Sequence, residues 1–117
     1  SPRDAAGAEG TEAPGVSASE PQGPRDEAYW QGRLTSLRDE VDRDRVLMEA
    51  LQSRINALTT DFVNRDDPFQ QQRIAAERER ALSELEHLEE EISRLSQAQE
   101  DLREEARRAG VPPGWLR

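Results

Sequence analysis

The sequence predicts an all-α fold, an antiparallel two-helix coiled-coil hairpin preceded by a disordered tail. Apolar residues recur at alternating spacings of three and four over residues 30–62 and over residues 74–109, the heptad pattern of paired helices. The second run is displaced by two residues from the register of the first, so one uninterrupted coiled coil does not fit. A short break at residues 64–68 separates the runs, and a short connection implies antiparallel neighbours.

Composition narrows the class of protein. The chain has 117 residues, of which 33% are hydrophobic and 35% are charged, and this balance argues against a compact globule. The net charge of -9 argues against binding to nucleic acid or to an anionic membrane surface. No apolar run approaches the roughly 20 residues that span a bilayer, so we expect no direct membrane insertion. The chain has no Cys, and a disulfide or thiolate site is therefore excluded.

Residues 1–25 are predicted to form a disordered tether. This segment is rich in Pro, Gly and Ala and has one large aliphatic residue, Val16, so it cannot bury enough surface to offset the entropy of ordering. Because the chain begins at Ser1 rather than at Met, we expect either a trimmed chain or a processed product whose secretion signal has been removed.

The first helix is predicted over residues 26–63. Asp26 follows a proline and precedes the first heptad run, so it is a candidate N-cap, and Glu27 adds a negative charge beside the positive helix end. Gly32 is a weak point inside the helix and costs about 1 kcal/mol relative to Ala.

The break predicts a turn over residues 64–67 and a second helix over residues 68–109. Asp67 can cap the second helix, and Pro68 suits its first position, where a missing N–H is harmless. Asn64 can close the first helix in the left-handed conformation. The predicted turn residues are Asn64, Asp66, Asp67 and Pro68.

Folding the chain about residue 66 sets residues opposite each other when their numbers add up to about 132. The predicted pairs are Trp30 with Leu102, Leu37 with Leu95, Val41 with Ile92, and Met48 with Leu85. The residues predicted to line the helix interface are Trp30, Leu34, Leu37, Val41, Met48, Leu51, Ile55, Leu58, Phe62, Ile74, Leu85, Leu88, Ile92, Leu95 and Leu102.

Asp44, Arg78 and Gln99 are polar residues at core positions of the heptads. A buried carboxylate at residue 44 would lower stability and could fix the register or the choice of partner. Alternatively, its side chain reaches water at the edge of a half-open hairpin. We favour the second interpretation for all three residues.

The end of the second helix is followed by a tail over residues 110–117. Gly110 suits a left-handed C-cap, and the two prolines after Val111 prevent the helix from continuing. The tail carries Trp115 and Leu116, which either fold onto the open end of the hairpin or serve as a docking peptide for a partner. We favour the first alternative.

Two helices alone leave each apolar stripe half exposed, which predicts a homo-oligomer or another protein partner. Leu47 and Leu82 widen the two stripes at similar heights and are the places where we expect a second molecule. The possible partner contacts are Leu47, Leu82, Trp115 and Leu116.

Candidate reactive residues do not converge. His87 precedes the core position Leu88 and is predicted to point into solvent, so it is an implausible metal ligand or catalytic base. The acidic residues around the turn lack the glycine and the distal Glu of an EF-hand loop, and helix capping explains them better. We therefore predict no enzyme activity, no cofactor, no metal and no small-molecule substrate.

Three stretches of the chain carry a resemblance. DEAYWQGRLTSLRDE, LQSRINALTTDFVNRDDPFQQQR and LREEARRAGVPPGWLR resemble segments of a group of uncharacterised bacterial coiled-coil proteins from Acidobacteria-like genomes, many of them made with an export signal. The resemblance covers residues 26–117. It implies a helical hairpin in the periplasm or cell envelope, and it implies no activity, ligand or catalytic residue.

These observations predict a non-enzymatic structural or protein-interaction module of the bacterial cell envelope that acts as a spacer or docking element. The alternative is a periplasmic chaperone-like hairpin whose open apolar edge binds client segments. If the protein is not in the periplasm or cell envelope, we expect it in the cytoplasm.

Overall fold

A computed structural model describes residues 25–117 of the chain. This part contains a long helix α1 over Glu27–Asn64, a long helix α2 over Pro68–Arg108, and a short 3-10 helix η1 over Pro113–Leu116. Helices make up 89% of it and its shape is extended, 64 Å long, so the predicted all-α helical hairpin is confirmed. The tether predicted over residues 1–25 lies outside the described residues, apart from Arg25.

Side chains cap the start of each long helix. The Oδ1 atom of Asp26 accepts a hydrogen bond of 3.1 Å from the backbone N–H of Tyr29, and Oδ1 of Asp67 accepts one of 3.0 Å from the N–H of Phe69. Pro68 occupies the first position of α2, where a backbone N–H would have no acceptor within the helix. These caps satisfy N–H groups that a helix terminus otherwise leaves unpaired.

The end of α1 differs from the sequence prediction. Asn64 is the last helical residue and does not take the left-handed conformation; the helix stops because Arg65 is extended, with φ -100° and ψ 138°. The side-chain amide of Gln71 donates hydrogen bonds to the carbonyl oxygens of Phe62 (3.2 Å) and Arg65 (2.7 Å). This amide stabilises the terminus from α2, so no left-handed cap is needed.

The end of α2 is a Schellman cap. Gly110 has φ 78°, in the left-handed region that favours glycine. Its N–H donates to the carbonyl of Arg107 at 3.1 Å, and the N–H of Val111 donates to the carbonyl of Ala106 at 2.9 Å. The cap reverses the chain direction and brings the tail back toward the start of α1.

The pairing register of the two helices is offset from the prediction. Arg33 contacts Glu105, and Arg78 contacts Thr59, so facing residue numbers add up to about 137 instead of about 132. The connection is extended at its first and last residues, which carries the first turn of α2 past the end of α1. A given residue of α1 therefore faces a residue of α2 that comes about one helical turn later in the sequence than predicted.

The core is concentrated at the end of the hairpin where α1 begins and α2 ends. Its buried cluster is Trp30, Leu34, Leu102, Ala106 and Leu116. Farther along the hairpin, the other buried apolar side chains are Val41, Ile55, Leu58 and Ala81. The remaining predicted interface residues of the two helices, Leu37, Met48, Leu51, Ile74, Leu85, Leu88, Ile92 and Leu95, are half-buried.

Phe62 is the exception among the predicted interface residues. Its side chain is 38% exposed, in contrast to the buried Trp30 at the other end of α1. The stripe is thus sealed at one end of the molecule and open at the other.

Candidate functional site

Three regions of the described chain are distinguished by buried or exposed apolar side chains, and we name them by position. The closed end is the buried cluster around Trp30 and the tail that covers it. The central groove lies between α1 and α2 around Leu47. The hairpin tip is the turn with its exposed residues Phe62, Val63 and Phe69.

The closed end is built by the tail. Leu116 is buried in the cluster with Trp30, while Val111 and Trp115 pack against that cluster and are half-buried. Helix η1 allows this contact because its prolines follow the α2 cap directly and hold the chain in a tight turn. Leu116 is therefore not available to a partner, and the tail covers the open end of the hairpin.

Arg33 links the two helices at the closed end. Its guanidinium donates two hydrogen bonds to the carboxylate of Glu105, at 2.9 and 3.0 Å, and lies 5.5 Å from the ring centroids of both Tyr29 and Trp30. The hydrogen bond from Arg33 lowers the pKa of Glu105, and the same bond raises the pKa of Arg33. A forked ion pair of this kind fixes the relative height of α1 and α2 at this end.

The central groove is an apolar depression with charged residues at its edges. Its volume is about 480 Å³. Leu47 is 51% exposed at its edge. The lining residues are Leu47, Ala50, Leu51, Arg54, Glu84, His87 and Leu88. Because both helices contribute, the groove is a surface that only the folded hairpin possesses.

Asp44 is buried, which corrects the expectation that its side chain reaches water. It is 8% exposed, and its Oδ2 atom has no hydrogen-bond partner among the residues that the structure describes. An Asp side chain has a single methylene and cannot extend past its neighbours to solvent, whereas longer side chains can. At the other two polar core positions, Arg78 and Gln99 are half-buried, and Nε of Arg78 donates to the Thr59 hydroxyl at 2.7 Å.

The hairpin tip presents apolar side chains to solvent. Phe69 is 83% exposed, and Val63 and Phe62 are exposed beside it. The turn residues Asp66 and Asp67 lie between these side chains in sequence and are also exposed. The tip therefore combines aromatic and aliphatic surface with two carboxylates.

Leu47 and Leu82 do not share a surface. Leu47 lines the central groove, whereas Leu82 is half-buried and lines a separate shallow depression with Leu85 and Glu89 of its own helix. The prediction that they lie at similar heights along the hairpin assumed that the chain folds about residue 66. In the observed register the two residues lie at different heights. Of these two residues, only Leu47 is exposed.

Two stabilising contacts were missed by the sequence reasoning. The pair of Arg33 and Glu105 could have been found, because both residues flank core positions and carry opposite charges, but only with the correct register. The amide of Gln71, which caps α1 from α2, leaves no signal in the sequence, since it is one of three consecutive glutamines.

Neither a metal centre nor a membrane span is found within residues 25–117. No three His, Asp or Glu side chains in that range come together as a possible metal site. No helix in the same range has the length and apolar character needed to cross a bilayer.

Comparisons with family models, with curated proteins and with solved structures found no match to this chain.

Proposed function

We propose that this chain is a non-enzymatic structural and protein-interaction module that acts as a spacer with a docking tip. The observation that carries the proposal is the contrast between its two ends. At one end Trp30 is buried under the chain's own tail, and at the other Phe69 is 83% exposed. Phe62 and Val63 are also exposed at this end, and a group of exposed apolar side chains with polar neighbours is typical of an interaction site.

Length supports the role of a spacer. The hairpin is 64 Å long, and α1 alone has 38 residues, which correspond to about 57 Å at 1.5 Å per residue. Two helices that pair along this distance resist bending better than one, because bending must shear the packed stripe between them. The tip is thereby held far from the closed end.

We also propose that the module works in the cell envelope or periplasm. The support is the resemblance of residues 26–117 to bacterial coiled-coil proteins that carry export signals. Fractionation of a bacterium that expresses the natural gene would test this, and recovery of the protein with the cytoplasm alone would contradict it.

A spin-label experiment tests the spacer. Ser36 and Thr60 are exposed on α1 and 24 residues apart, so labelled cysteines at these positions should lie about 36 Å apart with a narrow distribution. As a control, a Pro at Met48 in the doubly labelled chain should broaden the distribution, because proline kinks a helix interior. A broad distribution in the unmodified chain would show that the hairpin does not hold a fixed distance.

A second candidate function is favoured by the central groove. Its apolar lining and half-buried leucines could hold an extended or helical client segment, as expected for a chaperone-like hairpin. An aggregation assay with a heat-labile client protein separates the two functions. A spacer leaves aggregation unchanged, whereas a chaperone suppresses it and loses that effect when Leu47 is replaced by Asp.

A further inference from the structure

We propose that the central groove is filled by a second copy of this chain, forming a two-fold symmetric dimer in which α1 of each copy packs against α2 of the other. This inference rests on the proposed function, because it names the partner of the interaction module at one of its surfaces. It leaves the tip free for other proteins.

The apolar lining of the groove provides the contact area. Leu47 is half exposed at the edge, and Leu51 and Leu88 are half-buried in the floor. Ala50 lies between Leu47 and Leu51 in the sequence of α1, and its small side chain allows another helix to approach closely. A second hairpin packed on the groove covers this exposed face of the first hairpin, and the two long helices of each copy together form a four-helix bundle.

The charges at the edges of the groove select a copy of the chain as the occupant. Arg54 lies on the α1 edge and Glu84 on the α2 edge. Within residues 25–117 neither side chain takes part in an ion pair. The two numbers add up to 138, close to the register of the hairpin, so both residues lie at nearly the same height. Each edge is thus complementary to the other edge of an identical molecule.

The direction of the dimer follows from this pairing. A two-fold axis along the hairpin sets α1 opposite the partner's α2 at equal height, so that Arg54 meets the partner's Glu84 and the contact occurs twice. An axis across the hairpin sets α1 opposite the other copy's α1, so that Arg54 does not meet the partner's Glu84. The first arrangement therefore pairs Arg54 with Glu84 at both contacts, and the second does not.

Mass measurement tests the dimer. Gel filtration with light scattering should give twice 13.2 kDa for the full chain at about 100 µM. Leu47→Asp should raise the dissociation constant of the dimer more than about a hundredfold, because each interface then buries two unpaired carboxylates. Val46→Asp is the matched control. Val46 is exposed on the same helix but does not line the groove, so this variant should remain dimeric.

Charge exchange between copies tests the pairing. Arg54→Glu and Glu84→Arg should each weaken the dimer, because each symmetric interface then sets like charges together. Mixing the two variants should restore a dimer, since the only pairing with opposite charges at both contacts is between one chain of each kind. Circular dichroism should show an unchanged helix content for every variant.

Three results would overturn the proposed dimer. These results are a monomeric full chain, a Leu47→Asp variant that stays as dimeric as Val46→Asp, and a mixture of charge variants with no regained mass. None of them contradicts the spacer, which is tested separately by the distance between Ser36 and Thr60. A broad distance distribution in a chain that dimerises would instead reject the spacer and keep the dimer.

Discussion

Both ends of the hairpin are formed by the same two helices, but one end buries an aromatic side chain and the other exposes one. At the closed end Trp30 is 1% exposed beneath Leu116, whereas at the tip Phe69 is 83% exposed. The difference arises from the segment that comes after each helix. A left-handed glycine returns the tail over the closed end, while an extended three-residue connection carries the first turn of α2 past its neighbour.

This contrast shows how a two-helix protein can bury apolar side chains at one end and expose them at the other. A pair of helices buries only one stripe on each, so a small amount of additional chain decides which end is sealed. Here seven residues beyond Gly110 supply the third layer at the closed end. The tip has no such layer, and its apolar side chains Phe62, Val63 and Phe69 are exposed to solvent.

The largest expected effect is at the closed end. Trp30→Ala should lower the free energy of unfolding by about 3–5 kcal/mol, because it leaves a cavity at the most buried side chain of the cluster. Phe69→Ala at the tip is the matched control and should change stability by less than about 0.5 kcal/mol. Urea denaturation followed by circular dichroism measures both values. Equal losses would show that the two ends are not built differently.

A smaller effect of opposite sign is expected at Asp44, between the two ends. Asp44→Leu should raise the free energy of unfolding by about 1–2 kcal/mol, and with it the melting temperature. The change removes a buried carboxylate oxygen without a hydrogen-bond partner and adds apolar contact. Asp44→Asn is the control, because it removes the charge and keeps the polarity, and should gain less. A lower melting temperature for Asp44→Leu would mean that the carboxylate makes a contact that the hairpin requires.

Much of this architecture could be predicted from the sequence, and the reasons are local. Asp26, Asp67 with Pro68, and Gly110 are signals that act within a few residues, and the observed helix limits lie within one residue of the predicted ones. The pairing register depends on the direction of the extended connection after Asn64, which no local signal encodes. An error there places Leu47 and Leu82 on one surface, although they line different depressions.

The candidate surfaces were harder to predict than the fold for the same physical reason. Whether Phe62 is covered or Asp44 reaches water depends on which side chains of α2 lie opposite, and thus on the register. The contact of the tail with Trp30 was one of two open alternatives. As residue types, Trp115 and Leu116 suit a docking peptide as well as a cover for the hairpin, so the sequence did not distinguish the two, whereas the structure shows Leu116 buried against Trp30.

Two glycines sharpen the comparison between helix interior and helix end. Gly110→Ala should destabilise the protein by about 1 kcal/mol, because a φ of 78° strains any residue with a Cβ. Gly32→Ala should stabilise it by up to about 1 kcal/mol, because it lies inside α1 and an added Cβ meets no atom within 4 Å. Thermal denaturation measures both. Changes of the same sign would mean that the tail cap is not held in its left-handed conformation.

The smallest expected effect concerns the ion pair that joins α1 and α2 at the closed end. Glu105→Gln should lower the free energy of unfolding at pH 7 by less than about 1 kcal/mol, because both side chains are partly exposed. The hydrogen bond from Arg33 lowers the pKa of Glu105 in the folded protein. Its contribution is therefore complete above the pH at which an unfolded Glu titrates, about 4.3, and is lost as the pH falls through the lower folded pKa.

Denaturation of the natural chain and of Glu105→Gln between pH 7 and pH 2.5 measures this dependence. The stability difference should be constant down to about pH 5 and should vanish near the acid limit. Arg33→Met should lower stability at least as much as Glu105→Gln, because it also removes the contacts of Arg33 with the rings of Tyr29 and Trp30. The double variant should add little to Arg33→Met, because the hydrogen bonds between Arg33 and Glu105 are already lost in that single variant. A difference that persists at pH 2.5 would show that Glu105 stabilises the closed end by packing, and that the tail alone distinguishes this end from the tip.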